Sequence, residues 1–157
     1  MSRFLSLFLL IAFTCTTRVN AQDYSTGIGV KFGGIQGISV KQFTTSDAAF
    51  EIVVGGRWGG VEALVLYEIH APAFEVDGLF WYYGAGGHIG FWEGHRHSPW
   101  SRHRSSFVGI GVDGVLGMEY KIETVPITLS LDLVPAFNIG GYNGFWLDGG
   151  LGIRYVF

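Results

Sequence analysis

The feature that most constrains this chain is an alternation with period two, running from Ile28 to the last residue. In the segment I127-T-L-S-L-D-L-V-P-A-F137, Ile127, Leu129, Leu131, Leu133 and Phe137 fall on one face, while Thr128, Ser130 and Asp132 fall on the other. The final segment repeats the pattern, with Phe145, Leu147, Leu151, Ile153, Tyr155 and Phe157 opposite Asp148, Gly150, Gly152 and Arg154. Successive side chains of a strand point to opposite faces, so this spacing predicts strands with one apolar and one polar side. The whole chain reads as eight such segments, roughly 26–33, 37–43, 50–58, 61–70, 79–92, 106–120, 127–137 and 144–157. Turn-forming residues stand between them: Gly33-Gly34, Ser46-Asp47, Gly59-Gly60, Pro72, Asp77-Gly78, Ser98-Pro99, Pro126 and Gly140-Gly141. No helical period competes, and the length suits one domain.

The charges obey the same parity. Faces built from Ile28, Val65, Ile89, Ile110, Leu131 and Ile153 carry none. The opposite faces carry Lys31, Lys41, Glu51, Arg57, Glu62, Glu68, Asp113, Glu119, Asp132, Asp148 and Arg154. Two-sided strands of this kind fix their own register, because a one-residue slip would exchange the faces. Only 15% of residues are charged, against about 25% in ordinary soluble domains. A hydrophobic fraction of 48% excludes disorder. The single Cys15 excludes a disulfide scaffold, and 10 basic against 13 acidic residues exclude a strongly basic nucleic-acid binder.

Residues 1–21 read as an export signal rather than as part of the fold. Arg3 supplies a positive start, FLSLFLLIAF (4–13) a short apolar centre, and Ala21 a small residue at the cut. Ten residues are too few for a membrane helix, which needs about 20. A lipid-attachment site at Cys15 is the rival reading, and Phe13-Thr14 before it match poorly. The expected mature chain, 22–157, loses Arg3 and Arg18. It then carries eight basic and thirteen acidic residues, net −5, and no cysteine.

Parity does not say which face is outside. A soluble lipocalin-like barrel binding a small apolar ligand would be apolar within; a membrane barrel is the reverse. Three arguments choose the membrane. The polar faces are rich in glycine (Gly29, Gly55, Gly84, Gly86, Gly90, Gly109, Gly111, Gly117, Gly150 and Gly152). Glycine weakens an exposed strand but makes room inside a narrow eight-stranded lumen. Aromatics gather towards strand ends, with Phe32, Trp58, Phe91, Phe137 and Phe145 marking one rim. Tyr67, Trp81, Tyr83, Tyr120, Tyr155 and Phe157 mark the other, as two interfacial belts would. Finally, a Lys or Arg facing lipid at mid-membrane costs about 2–4 kcal/mol, and the apolar faces contain none.

With these residues in view, the chain resembles the small outer-membrane barrels of the OmpA/OmpX type from Gram-negative bacteria. The resemblance covers nearly all of 22–157. It implies a closed eight-stranded antiparallel up-and-down barrel, all-β, monomeric and embedded in the outer membrane. It also implies that Ile153, Tyr155 and Phe157 form the terminal signal read by the barrel-assembly machinery. Pro135 departs from the pattern, because a closed barrel has no edge to excuse its missing N–H; it predicts a bulge, or an exit from the membrane near that point. Both termini should share one side, leaving connections 33–37, 58–61, 93–105 and 138–143 on the other. The turn 70–78 is long for its side.

The lumen should hold the eleven charges as a connected network, plugged and without a pore, since a buried charge must be paired. Seven acids against four bases, with His88 a fifth potential cation, predict either a protonated carboxylate or a bound cation.

The loop E93-G-H-R-H-S-P-W-S-R-H-R104 carries the remaining chemistry. Arg96, Arg102 and Arg104 suit lipopolysaccharide phosphates. His95, His97 and His103 would suit Zn²⁺ or Cu²⁺, although a plain solvated loop explains them as well and no cofactor is expected. His103 and Ser105 have the spacing of a lipid A deacylase pair, with Asp113 or Glu119 further along the chain. On a single strand such an acid lies at least about 26 Å away, so a triad would need a neighbouring strand. The role expected is structural or surface contact, with lipid A hydrolysis as the alternative. Outer-membrane lipid is the expected partner and nucleic acid is not.

Overall fold

In a computed structural model of the chain, the described residues are 24–92, 107–140 and 144–157. They form eight strands: β1 (Thr26–Gly33), β2 (Gln36–Phe43), β3 (Ala48–Arg57), β4 (Gly60–Pro72), β5 (Leu79–Trp92), β6 (Phe107–Ile122), β7 (Ile127–Gly140) and β8 (Gly144–Val156). Each pairs antiparallel with the next, and β1 pairs with β8, so the sheet closes into a barrel without an edge. The seam is in good register, with Val30 opposite Ile153 and Gly29 opposite Arg154. The strands match the sequence pattern closely. The differences are at ends, where β4 runs on to Pro72 and β7 to Gly140.

Residues 24–26, the C-terminus and the turns β2–β3, β4–β5 and β6–β7 lie at one end, called here the terminal end. The remaining four connections lie at the distal end. Two of those, 93–106 and 141–143, fall outside the described residues, as do 1–23.

The apolar faces point outward. Ile28, Val65, Ile89, Ile110, Leu131 and Ile153 are all exposed, Leu131 at 65%. Along the strands, the charged side chains turn inward. Exposed charges among the described residues occur only in terminal-end turns, at Asp47, Glu75, Asp77 and Glu123.

The interior is filled. Val53, Leu64, Leu66, Tyr82, Val115 and Val134 belong to one buried apolar cluster across its middle. An eight-stranded barrel has just enough internal width for such packing. Parity does not reveal this waist in β4, where Leu64, Val65 and Leu66 are consecutive and only Val65 faces out.

Glycines on the inner face serve two purposes. Tyr82 occupies the space a side chain at Gly117 would need, and Ser130 Oγ does so at Gly152, with the Arg154 guanidinium close behind it. Gly29, Gly55, Gly84 and Gly86 instead lie against neighbouring backbone carbonyls, so the expected role of making room for side chains is only part of the reason they are there.

Two expectations need correction. The irregularity expected near Pro135 is displaced from the proline itself. The pairing of β7 with β8 continues through Pro135 opposite Leu147, while the β6–β7 ladder drops the pairs at Gly114–Val115 and Val134–Pro135 and then resumes unshifted. The missing N–H costs a local gap, and the Pro135 ring packs over Gly114. The register shift comes later, between Ile110 and Gly111.

Trp58 is not a wall residue. It occupies a two-residue turn with φ of 47°, followed by Gly59 at 78°. Hairpins favour this doubly left-handed turn for its twist, but a bulky residue adopts it at a cost. The Trp58 ring meets Trp146 edge-on at 4.8 Å and lies 4.1 Å from the Arg57 guanidinium.

Candidate functional site: the charged lumen

The eleven charges singled out from the sequence all lie inside the wall, in two groups separated by the apolar waist. They come from seven strands because inward positions recur every second residue along each.

The terminal group is built around Arg154, which is fully buried. Its Nε donates to Ser39 Oγ at 2.8 Å. Nη1 donates to Glu119 at 3.2 Å and Ser130 Oγ at 2.9 Å, and Nη2 pairs with Glu51. Lys41 bridges Glu68 at 2.7 Å and Glu119 at 3.3 Å and sits 4.3 Å from the Tyr82 ring centroid. His70 approaches Glu68 at 3.1 Å and stacks on Tyr82, with centroids 5.0 Å apart.

Tyr24 closes this end, donating from its hydroxyl to Glu119 at 2.5 Å and meeting Phe43 edge-on. Burial, then the Glu119 carboxylate, push the Tyr24 phenol well above its usual range, so it stays a neutral donor.

Lys31 and Asp132 extend the terminal group towards the distal one. Lys31 Nζ lies 2.8 Å from Asp132 Oδ2 and 3.1 Å from Glu51, and the Tyr82 hydroxyl donates to the same Asp132 oxygen at 2.7 Å.

The distal group is sparser. Arg57 bridges Glu62, at 3.0 Å, and Asp148. His88 Nδ1 lies 2.8 Å from Asp113 Oδ2, and its Nε2 lies 2.7 Å from Asn138 Oδ1. Trp92 covers these residues, its indole N–H donating to the Arg57 carbonyl at 3.0 Å; the side chains that Gly90 and Gly109 lack would fall on its ring.

The groups differ in balance. The terminal group sets Glu51, Glu68 and Glu119 against Lys41 and Arg154, with His70 beside Glu68. The distal group sets Glu62, Asp113 and Asp148 against Arg57, with His88 beside Asp113. Four buried polar atoms have no hydrogen-bond partner among the described residues: Arg57 Nε, Glu68 Oε1, Thr128 Oγ1 and Asp132 Oδ1.

The sequence reading missed Tyr24, Ser39 and Tyr82. Parity would have found Tyr82, since Trp81 and Tyr83 on either side face out. Tyr24 precedes the first strand and meets Glu119 across 95 residues of sequence, which no local pattern encodes.

Ile153, Tyr155 and Phe157 are exposed on the outer wall of β8 and just past its end. Arg96, Arg102, Arg104, His95, His97, His103, Ser105 and Cys15, like residues 1–21, lie outside the described residues. The acids considered as partners for His103 and Ser105 are already engaged in the lumen, Asp113 with His88 and Glu119 with Lys41, Arg154 and Tyr24. No protein-family model matches the chain, and a search of curated proteins finds no match to it either.

Proposed function

We propose that the chain is a monomeric integral protein of a Gram-negative outer membrane, exported by a cleaved signal at 1–21, with a structural or surface-contact role and no open pore. The observation that carries this is the outer wall. Between two aromatic rims, no charged side chain of the described strands is exposed. On β8, Phe145 and Tyr155 stand ten residues apart and both are exposed. At about 3.3 Å per residue and a tilt near 40°, they are separated by roughly 25 Å along the barrel axis, the height of an outer-membrane apolar band. An apolar surface this extensive has no use for water.

The filled waist supports the absence of a pore. It also weighs against a lipocalin-like reading, which needs an apolar cavity where this chain has ion pairs. The distal end would then face outward and carry the arginine-rich connection 93–106 towards lipopolysaccharide. The terminal end, with Phe157, would face the assembly machinery.

Membrane fractionation with heat-modifiable gel mobility tests the reading directly, since a folded barrel in the outer-membrane fraction should migrate differently before and after boiling. Leu131→Arg places a cation at mid-wall. It should destabilise the barrel in bilayers by about 2–4 kcal/mol, read from urea unfolding. A soluble fraction, or an unchanged midpoint for Leu131→Arg, would reject the membrane.

A further inference from the structure

The distal rim is not level. The β1–β2 turn is short, since β1 ends at Gly33 and β2 begins at Gln36. Its Gly34 N–H donates to the Gly149 carbonyl at 3.1 Å, so residues 144–148 of β8 project beyond it on one side. On the other side Gln36 pairs with Gly56, and Arg57 and the Trp58-Gly59 turn project beyond that pair. The wall therefore has a notch, floored by Gly33 and Gly34, that holds a cleft of about 740 Å³ open to solvent. Small-molecule sites occupy about 300–1,000 Å³.

Two kinds of side chain meet across the notch. Trp58 and Trp146 stand at 85° to one another and form an aromatic corner. Beside them Arg57 pairs with Asp148, and Asp148 also accepts from the Trp146 indole N–H at 3.1 Å. Each Asp148 oxygen thus holds one donor, and a carboxylate oxygen can take two. Its side chain is 16% exposed, the most open of the lumen acids in ion pairs. Gln36, exposed at the same cleft, adds an amide with both donors and an acceptor. Trp58 reaches this place at a cost. Its φ of 47° belongs to a turn that favours Asn-Gly, and such strain collects at ligand clamps.

We propose that the notch is a saccharide site, taking one or two neutral pyranose rings from the distal side. The lining selects this chemistry by what it excludes. A wholly apolar ligand would shut Asp148 and Gln36 off from water without replacing their hydrogen bonds. A cation meets Arg57, an anion meets Asp148, and the pair is neutral as a unit. A pyranose has a flat face of C–H groups to lie on an indole and an edge of hydroxyls, each both donor and acceptor. Those hydroxyls reach the remaining lone pairs of Asp148 and the amide of Gln36, so no existing pair has to break. The site needs only the folded rim. It gives the surface contact proposed above a ligand class but does not rest on the membrane.

The test uses the refolded barrel in an amine-oxide detergent, which has no sugar headgroup. The indole N–H signals of Trp58 and Trp146 are followed by NMR against lactose and cellobiose and, in a second arm, against the core oligosaccharide cut from lipopolysaccharide. The arms distinguish a free glycan from a surface one, and saturation in either supports the site. A Kd of about 1 mM is expected for a small neutral ligand with few contacts. Trp81, on the outer wall, should not respond. Gln36→Ala, a change at an exposed position, should raise the Kd about fivefold, and Trp146→Ala about tenfold. Trp58→Asn suits the turn, so the barrel should stay folded by its urea midpoint and still bind about tenfold more weakly. Sorbitol, which has hydroxyls but no ring, and choline, which would seek an aromatic cage, should give no saturable shift. Failure of every saccharide to saturate, an equal response to sorbitol or choline, or wild-type binding by folded Trp58→Asn would overturn the proposal.

Discussion

The two ends of the lumen hold the same kinds of side chains and manage them differently. At the terminal end every cation touches two carboxylates and every carboxylate is shared. Arg154 spends all three of its nitrogens on Ser39, Ser130, Glu51 and Glu119, and Tyr24 and Tyr82 close the network with neutral donors. At the distal end one arginine serves two acids, one imidazole serves a third, and Asp148 retains contact with solvent. The difference follows from access to water. Where desolvation is complete, an unpaired charge costs several kcal/mol, so the network closes on itself at every carboxylate oxygen of Glu51, Glu68 and Glu119 but Glu68 Oε1. Where the group approaches the mouth, as at Asp148, water can screen part of the imbalance.

The sharpest way to break this contrast is to remove the arginine from each group. Arg154→Met leaves Glu51 and Glu119 with one cation each, Lys31 and Lys41, in a site with no access to solvent. It should cost about 3–5 kcal/mol, or prevent folding, as measured by urea unfolding in detergent. Arg57→Met strands Glu62 and Asp148 beside the mouth and should cost less, about 1.5–3 kcal/mol. Equal losses would mean that the distal end is as sealed as the terminal one.

The smallest expected effect is that of Tyr24→Phe, about 1 kcal/mol at neutral pH. It sharpens the contrast through pH. The folded state holds the Tyr24 phenol above its ordinary value. Its contribution is therefore complete below about pH 10 and is lost as the pH rises further, because only the unfolded chain then readily gives up the proton. The wild type should lose stability above that pH more steeply than Tyr24→Phe. Parallel alkaline curves would remove Tyr24 from the seal.

Much of this was legible in the sequence, for a physical reason. A wall one residue thick, with different media on its two sides, writes its geometry as parity, and parity survives in β7 and β8 almost without exception. The eleven charges could be assigned to a common face because no position such as Leu131 or Ile153 carries one. Where parity fails, so did the reading. The run Leu64-Val65-Leu66 hides the waist, Trp58 looks like a belt residue but sits in a turn, and Pro135 is absorbed by a gap in one ladder that its neighbours tolerate. The pairing of charges was not legible at all. Arg154 meets Glu51 across 103 residues of sequence, and only closure of the cylinder brings them together.

That closure bears on how the protein is made. Because the first strand is hydrogen-bonded to the last, no ribosome-bound chain can complete its ladder until Val156 has emerged, and β1 waits through the whole of translation with one side bare. Such a nascent polypeptide invites pairing with its neighbours. Deleting the final half-dozen residues should leave an open, sticky ribbon rather than a slightly shorter barrel.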